Sequence, residues 1–365
     1  MKRLASPLIL CLLLLFYACE SAMDYSSADD DGTLLVNLDI SVALSDVSNA
    51  LTRATGDDDA AAGDNEKMHT LRIVIVRPNG VVEANRLIDL KTAAGLESPE
   101  MEPFRVAGNE RKWIYLFVNE DTKITTPNTR IERKLVNFDF HKIQVGGYFP
   151  FTAIDTLQIR MESNTEQIEG PLPMSERHEF FVKKVEKEED REQSCRLFVT
   201  RAAVKFTFRI HNESSNAITF NGLQINGMAR AEWYIPRAKY SEPVEGKPRE
   251  IIDYQVPPGL GYYTYGNDQF NENKTIGSHA KEELPSIYFL EGKYTDAPNS
   301  GVYSIRIGID GEEKDFTFPK WNELSPLPRN THVVVNITRD KDTKVTCEVN
   351  VIPYSEVPLD PDFGL

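Results

Sequence analysis

Apolar and polar residues alternate at period two repeatedly along this chain, and no long stretch sustains apolar spacing at a helical period. That pattern restricts the fold to sheets buried on one face or on both. The segment Gly32–Leu44, "GTLLVNLDISVAL", shows it most cleanly. Leu34, Val36, Leu38, Ile40, Val42 and Leu44 fall on one face, and Asn37, Asp39 and Ser41 on the other. Such a strand belongs in a core. Yet it is followed by Leu51-Thr52-Arg53-Ala54 and then by the acidic run "GDDDAAAGDNEK", the kind of sequence in which exposed backbone is cut by proteases. A core strand therefore stands just ahead of a candidate cut site between Arg53 and Ala54.

Strand signals continue downstream. "TLRIVIV" is broken by the turn signal "RPNG" and resumes in "VVEANRLIDL". "KWIYLFVNE" is a near-continuous apolar run, which predicts a strand buried on both faces. "KKVEKEEDREQS" reads as a solvated loop or short helix near a domain boundary. The second half opens with "CRLFVTRAAVKFTFRIHN", where Lys205, Thr207 and Arg209 alternate with Phe206, Phe208 and Ile210. "NTHVVVNITRDKDTKVTCEVNVI" predicts a hairpin turning at "RDKD". A length of 365 residues suggests about two domains. The expectation is an all-β chain of two antiparallel β-sandwich domains in tandem, 54–192 and 193–365.

The N-terminus has a basic Lys2-Arg3 followed by the apolar run Leu8–Ala18. That run is too short to span a bilayer as a helix and suits a signal peptide, residues 1–18. It ends in "FYAC", with small Ala18 before Cys19. This resembles a lipobox, where a bacterial lipoprotein is cut and its cysteine lipidated. Residues 19–53 then read as a lipidated propeptide that contains the first strand. An ordinary secreted protein cleaved near Ala18 or Ala22 is the alternative. Cys195 and Cys347 lie in strand-like runs. They could pair, or each could be a small buried hydrophobe.

Composition narrows the function. The chain is 41% hydrophobic and 10% aromatic, enough to form a core, and its net charge of −15 argues against nucleic acid as a partner. There is no GxSxG elbow, phosphate-binding glycine loop or HExxH, and the six histidines are scattered. The "DDD" runs at Asp29–Asp31 and Asp57–Asp59 lack the glycine and glutamate of a calcium loop. No catalytic residue, metal site or cofactor is expected.

The order of these features resembles the fimbrillin family, the major pilins of type V pili on Gram-negative anaerobes. The lipobox and strand precede an arginine in a soft loop. "EKMHTLRIVIVRPNGVVEANRLI", "WIYLFVNE", "GPLPMSE", "LFVTRAAVKFTFRIHN", "IYFLEGKYT" and the terminal "VNVIPYSEVPLDPDFGL" follow in sequence. The resemblance implies two transthyretin-like sandwiches and an outer-membrane lipoprotein precursor. It also implies an arginine-specific protease that removes the first strand. A C-terminal strand from a neighbouring copy or related fimbrial subunit then fills the groove, and the mature chain stands in a cell-surface fimbrium. The removable strand would be Leu34, Val36, Leu38, Ile40, Val42 and Leu44, exchanged by β-augmentation.

The C-terminus supplies a candidate donor. Val345, Cys347, Val349 and Val351 share one parity, and after Pro353 so do Val357, Leu359, Phe363 and Leu365. The first run could pair within its own domain. The second ends the chain, and Pro358 and Pro361 suit an edge or an extended arm. The rival reading is a lipid-anchored glycan-binding protein using Trp113, Trp233, Trp321 and the loop "PPGLGYYTYGNDQF". Within the pilus reading, stalk, tip and anchor roles remain open.

Overall fold

The computed structural model describes residues 34–44, 64–90, 102–126, 131–240, 251–255, 257–258, 261–266, 273–291, 304–317, 327, 329–341 and 344–353. Its first-half strands are β1 (Leu35–Leu44), β2 (Thr70–Val76), β3 (Val82–Asp89), β4 (Phe104–Ala107), β5 (Glu110–Val118), β6 (Lys123–Thr126), β7 (Ile131–Lys134), β8 (Gln158–Arg160), β9 (Gln167–Glu169), β10 (Met174–Val182) and β11 (Glu192–Arg201). The second half adds β12 (Val204–Asn212), β13 (Ile218–Ala229), β14 (Ala231–Trp233), β15 (Ala238–Tyr240), β16 (Ile251–Tyr254), β17 (Tyr262–Gly266), β18 (Lys274–Ile276), β19 (Lys281–Glu283), β20 (Ile287–Phe289), β21 (Ser304–Ile309), β22 (Glu312–Thr317), β23 (Thr331–Arg339) and β24 (Val345–Pro353). Helix among the described residues is confined to short turns such as Phe151–Asp155 and Glu188–Arg191, the latter within the charged run.

The first half is built on a seven-stranded sheet in the order β3-β2-β5-β10-β11-β1-β4. Strands β10 and β11 pair only at Met174 with Arg201 and Ser175 with Thr200. Beyond that corner they diverge, and the sheet folds into two leaves. β3-β2-β5-β10 is one leaf and β11-β1-β4 the other. Leu71, Ile73, Ile75, Ile114, Leu116 and Val118 from the first leaf meet Val36, Leu38, Ile40, Phe104, Val106, Leu197 and Val199 from the second in one apolar cluster.

The opposite face of the first leaf is apolar as well. Val74, Val76, Tyr115 and Phe117 join a larger cluster that continues into the second half through Phe206, Phe208, Ile225 and Val335. The "KWIYLFVNE" strand is thus buried on both faces, as its composition predicts. In the second half, the sheets β19-β12-β23-β24 and β17-β13-β21-β22 enclose this cluster. Tyr265 of β17 and Phe289 of β20 meet edge to face with centroids 5.0 Å apart. The predicted hairpin is β23–β24, closed by Asp340 N–H donating to Lys344 O at 2.9 Å.

Two expectations need correction. The chain is all-β, but two strand pairs are parallel, β1 with β11 and β12 with β23. Side-chain alternation is the same for either strand direction, so period two cannot reveal this. The second correction concerns the run from Cys195 to Arg201 in β11, expected to open the second half. It pairs with β1 and β10 of the first, so strand pairing changes over at Ala202–Ala203. Its apolar parity, Cys195, Leu197 and Val199, faces the first-half cluster. β14 pairs with β8 across the two halves. Glu66 bridges them too, through Lys205 at 2.7 Å and the Tyr288 hydroxyl at 2.8 Å.

Candidate functional site

The site follows from the position of β1 within its leaf. "LVNLDISVAL" alternates strictly through Ile40 and contains no proline or glycine, so it forms ladders on both edges. On one side it runs parallel to β11, Asn37–Leu44 against Glu192–Val199. On the other, Leu35–Leu38 runs antiparallel to Ala107–Phe104 of β4. The strand therefore separates β11 from β4 and roofs the apolar face of β2, β5 and β10.

Burial along β1 is graded. Val36, Leu38 and Ile40 are fully buried. Val42 and Leu44 are half-buried against the same cluster, and Leu34 is 42% exposed. The six positions thus divide into three complete anchors, two partial ones and an exposed first position. At ~1.5–3 kcal/mol for each fully buried side chain, the three anchors contribute a gross ~5–9 kcal/mol. The physical reason is coverage: β4 shields only the Leu35–Leu38 end of β1, and the far half lacks a second strand neighbour among the described residues.

Polar contacts set the register. Asn37 Nδ2 donates to Glu192 Oε1 at 2.6 Å. The backbone N–H of Gly108, just after β4, donates to Leu34 O at 3.3 Å. A Cβ at Gly108 would stand 3.0 Å from Lys183 O and 3.3 Å from Val36 Cγ2, so glycine permits this close approach. Cys195 of β11 is buried opposite Ile40. Burial first, and Asp39 second, push its thiol up to about 12, far from a reactive thiolate. Cys195 and Cys347 are both free.

The remaining expected residues fall in two groups. Cys19, Arg53, Ala54, Val357, Leu359, Phe363, Leu365 and Trp321 lie outside the described residues. Among the described residues, the aromatics of the glycan reading do not form an open platform. Trp233 is buried under the Arg237 guanidinium, 3.8 Å from its ring centroid. Trp113 packs edge to face on Phe151 at 5.2 Å, and Tyr263 and Tyr265 lie in the core. Among the described residues no three His, Cys, Asp or Glu side chains are grouped to hold a metal.

Sequence reading missed the ionic network beside β4. Lys112 of β5 is fully buried, bonded to Glu83 of β3 and, at 2.6 Å, to Glu110. Glu83 Oε1 also accepts the backbone N–H of Ala107, at 2.6 Å. A signal existed, because Lys112 shares the parity of Ile114, Leu116 and Val118 and so points into the same cluster.

No protein-family model and no curated protein sequence matches this chain. Its backbone is similar to a number of solved structures at low sequence identity, three of which follow. One is the tip fimbrial protein of Porphyromonas gingivalis with a C-terminal truncation, at 11% identity and TM-score 0.46, covering 80% of this chain and 97% of that one. A fimbrial assembly protein from Parabacteroides distasonis is similar at 10% identity and TM-score 0.43, covering 87% and 99%. The fimbrial anchor protein of Porphyromonas gingivalis is similar at 9% identity and TM-score 0.37, covering 87% and 99%.

Proposed function

We propose that this chain is a structural subunit of a cell-surface fimbrium that polymerises by strand exchange and supports adhesion, with no enzymatic activity. It is made as an outer-membrane lipoprotein precursor anchored through Cys19. An arginine-specific protease cuts between Arg53 and Ala54. Two tandem sandwiches of transthyretin-like topology form the body, and β1 is the strand given up on maturation. A stalk role is favoured, because the sequence offers both a candidate cut site and a candidate donor arm.

One observation supports this reading above others. β1 lies between β11 and β4 and buries Val36, Leu38 and Ile40, yet in the sequence it is followed within ten residues by Arg53. Loss of β1 uncovers apolar surface and leaves backbone groups of β11 and β4 unpaired, the condition that makes an edge adhesive. A replacement strand restores both, and its main-chain bonds supply affinity. Val357, Leu359, Phe363 and Leu365 of a neighbouring subunit are the proposed replacement.

The test is deletion of Val357–Leu365. The shortened chain should fold, mature and stay soluble without supporting polymer growth. Unfolding of that chain, or normal polymerisation, places the donor elsewhere. Mature surface protein that keeps residues before Arg53 supports the glycan-binding alternative instead.

A further inference from the structure

Strand exchange requires a groove that survives the loss of its plug. Among the described strands β4 pairs only with β1. Removing β1 deprives β4 of every interstrand hydrogen bond it makes to a described strand, and a four-residue strand without a partner does not hold its place. The other wall is secure: β11 stays tied to β10 at the Ser175–Thr200 corner. Thr200 Oγ1 adds a bond to Glu176 Oε2 at 2.9 Å, and the His178 ring bonds Phe198 O at 2.6 Å.

The outer edge of β4 is held by side chains of β3. Ala107 N–H points away from β1 and donates to Glu83 Oε1 at 2.6 Å. Lys112 grips the other oxygen of Glu83 and is itself braced by Glu110, which Arg77 Nε contacts at 3.0 Å. The Arg86 guanidinium lies 4.1 Å from the Phe104 ring centroid, and Arg86 also donates to Glu102 O. None of these contacts involves β1. Together they bridge β3 and β4, the two edge strands of the seven-stranded sheet.

We propose that Glu83 is the positioning residue that holds β4 in place when β1 is absent, so that the groove stays open to a replacement strand. The proposal rests on the reading that β1 is exchanged. Lys112 fixes the carboxylate, and the carboxylate fixes Ala107. The unpaired inner edge of β4 is then presented at the spacing a new strand needs.

The test uses the full chain, nicked between Leu44 and Asp64 and mixed with a fluorescent synthetic peptide of sequence 32–45. The wild-type protein should exchange its bound β1 for the peptide. Glu83→Ala should reduce the exchanged fraction at least tenfold, while the intact variant keeps a wild-type spectrum because β1 still holds β4. Glu83→Gln retains an acceptor for Ala107 and should restore most of the exchange. Equal exchange by wild type and Glu83→Ala overturns the role of Glu83 and leaves strand exchange standing. No peptide uptake by wild type overturns strand exchange, and this proposal with it. A second measurement needs no variant: amide hydrogen exchange on nicked wild-type protein freed of β1 in mild urea. Ala107 should stay protected at least tenfold over an open chain, and loss of that protection refutes the clasp.

Discussion

Ile40 lies directly opposite Cys195 in the parallel pairing of β1 with β11, and both are buried against the same apolar cluster. The thiol is therefore an internal reporter of whether the strand is seated. In the intact chain, maleimide should fail to label Cys195 at neutral pH, because the group is both buried and held protonated. Displacing β1 should raise its labelling at least tenfold, as read by peptide mapping. Equal labelling with and without β1 would mean that the strand does not cover β11.

The gradient of burial along β1 predicts a gradient of mutational cost. Leu38→Ala should destabilise the intact chain by about 2–5 kcal/mol, the range for buried leucine or isoleucine truncations. Val42→Ala, at a half-buried position, should cost under about 1 kcal/mol. Chemical denaturation monitored through tryptophan fluorescence checks the ordering, and equal costs would contradict the graded seat.

Gly108 allows β1 and Lys183 to approach the same backbone. Gly108→Val should destabilise the intact chain by about 1–3 kcal/mol through overpacking against Val36. The cost should shrink once β1 has been removed, because Val36 leaves with it. A cost that is the same in both forms would assign the strain to Lys183 O alone.

Stability should also depend on pH through Glu232. This carboxyl is fully buried beside Glu291 and Arg329, and burial pushes it up to about 8. A raised folded value means that the native state binds the proton more tightly than the unfolded chain. The resulting stabilisation is complete below the unfolded carboxylate range and is lost as pH rises towards about 8. Melting temperature should therefore fall between about pH 5 and pH 8, and Glu232→Gln should flatten that fall. Glu83, also raised by burial, contributes in the same direction. A melting temperature that rises across this window would contradict the assignment.

The sequence shows much of this architecture, and the reasons for its silences are physical. Alternation in Leu34–Leu44, the two-sided burial of Ile114–Val118 and the β23–β24 turn are all local signals, and each reappears in the fold. Strand direction is not local. Asn37 pairs with Glu192 and Val204 with Thr331 across long stretches of chain, and no residue pattern distinguishes parallel from antiparallel partners at such distances. The grading of β1 was also hidden, because it depends on the short length of β4. The Glu83–Lys112 pair joins strands whose adjacency only the fold supplies.

Removal of β1 on maturation is tested most directly by the N-terminus of the surface form. Protein sheared from cells can be examined by N-terminal sequencing and intact mass. Strand exchange predicts chains that begin at Ala54 and lack covalently attached Leu34–Leu44. Assembled chains that still carry β1 ahead of an uncut Arg53 would contradict it.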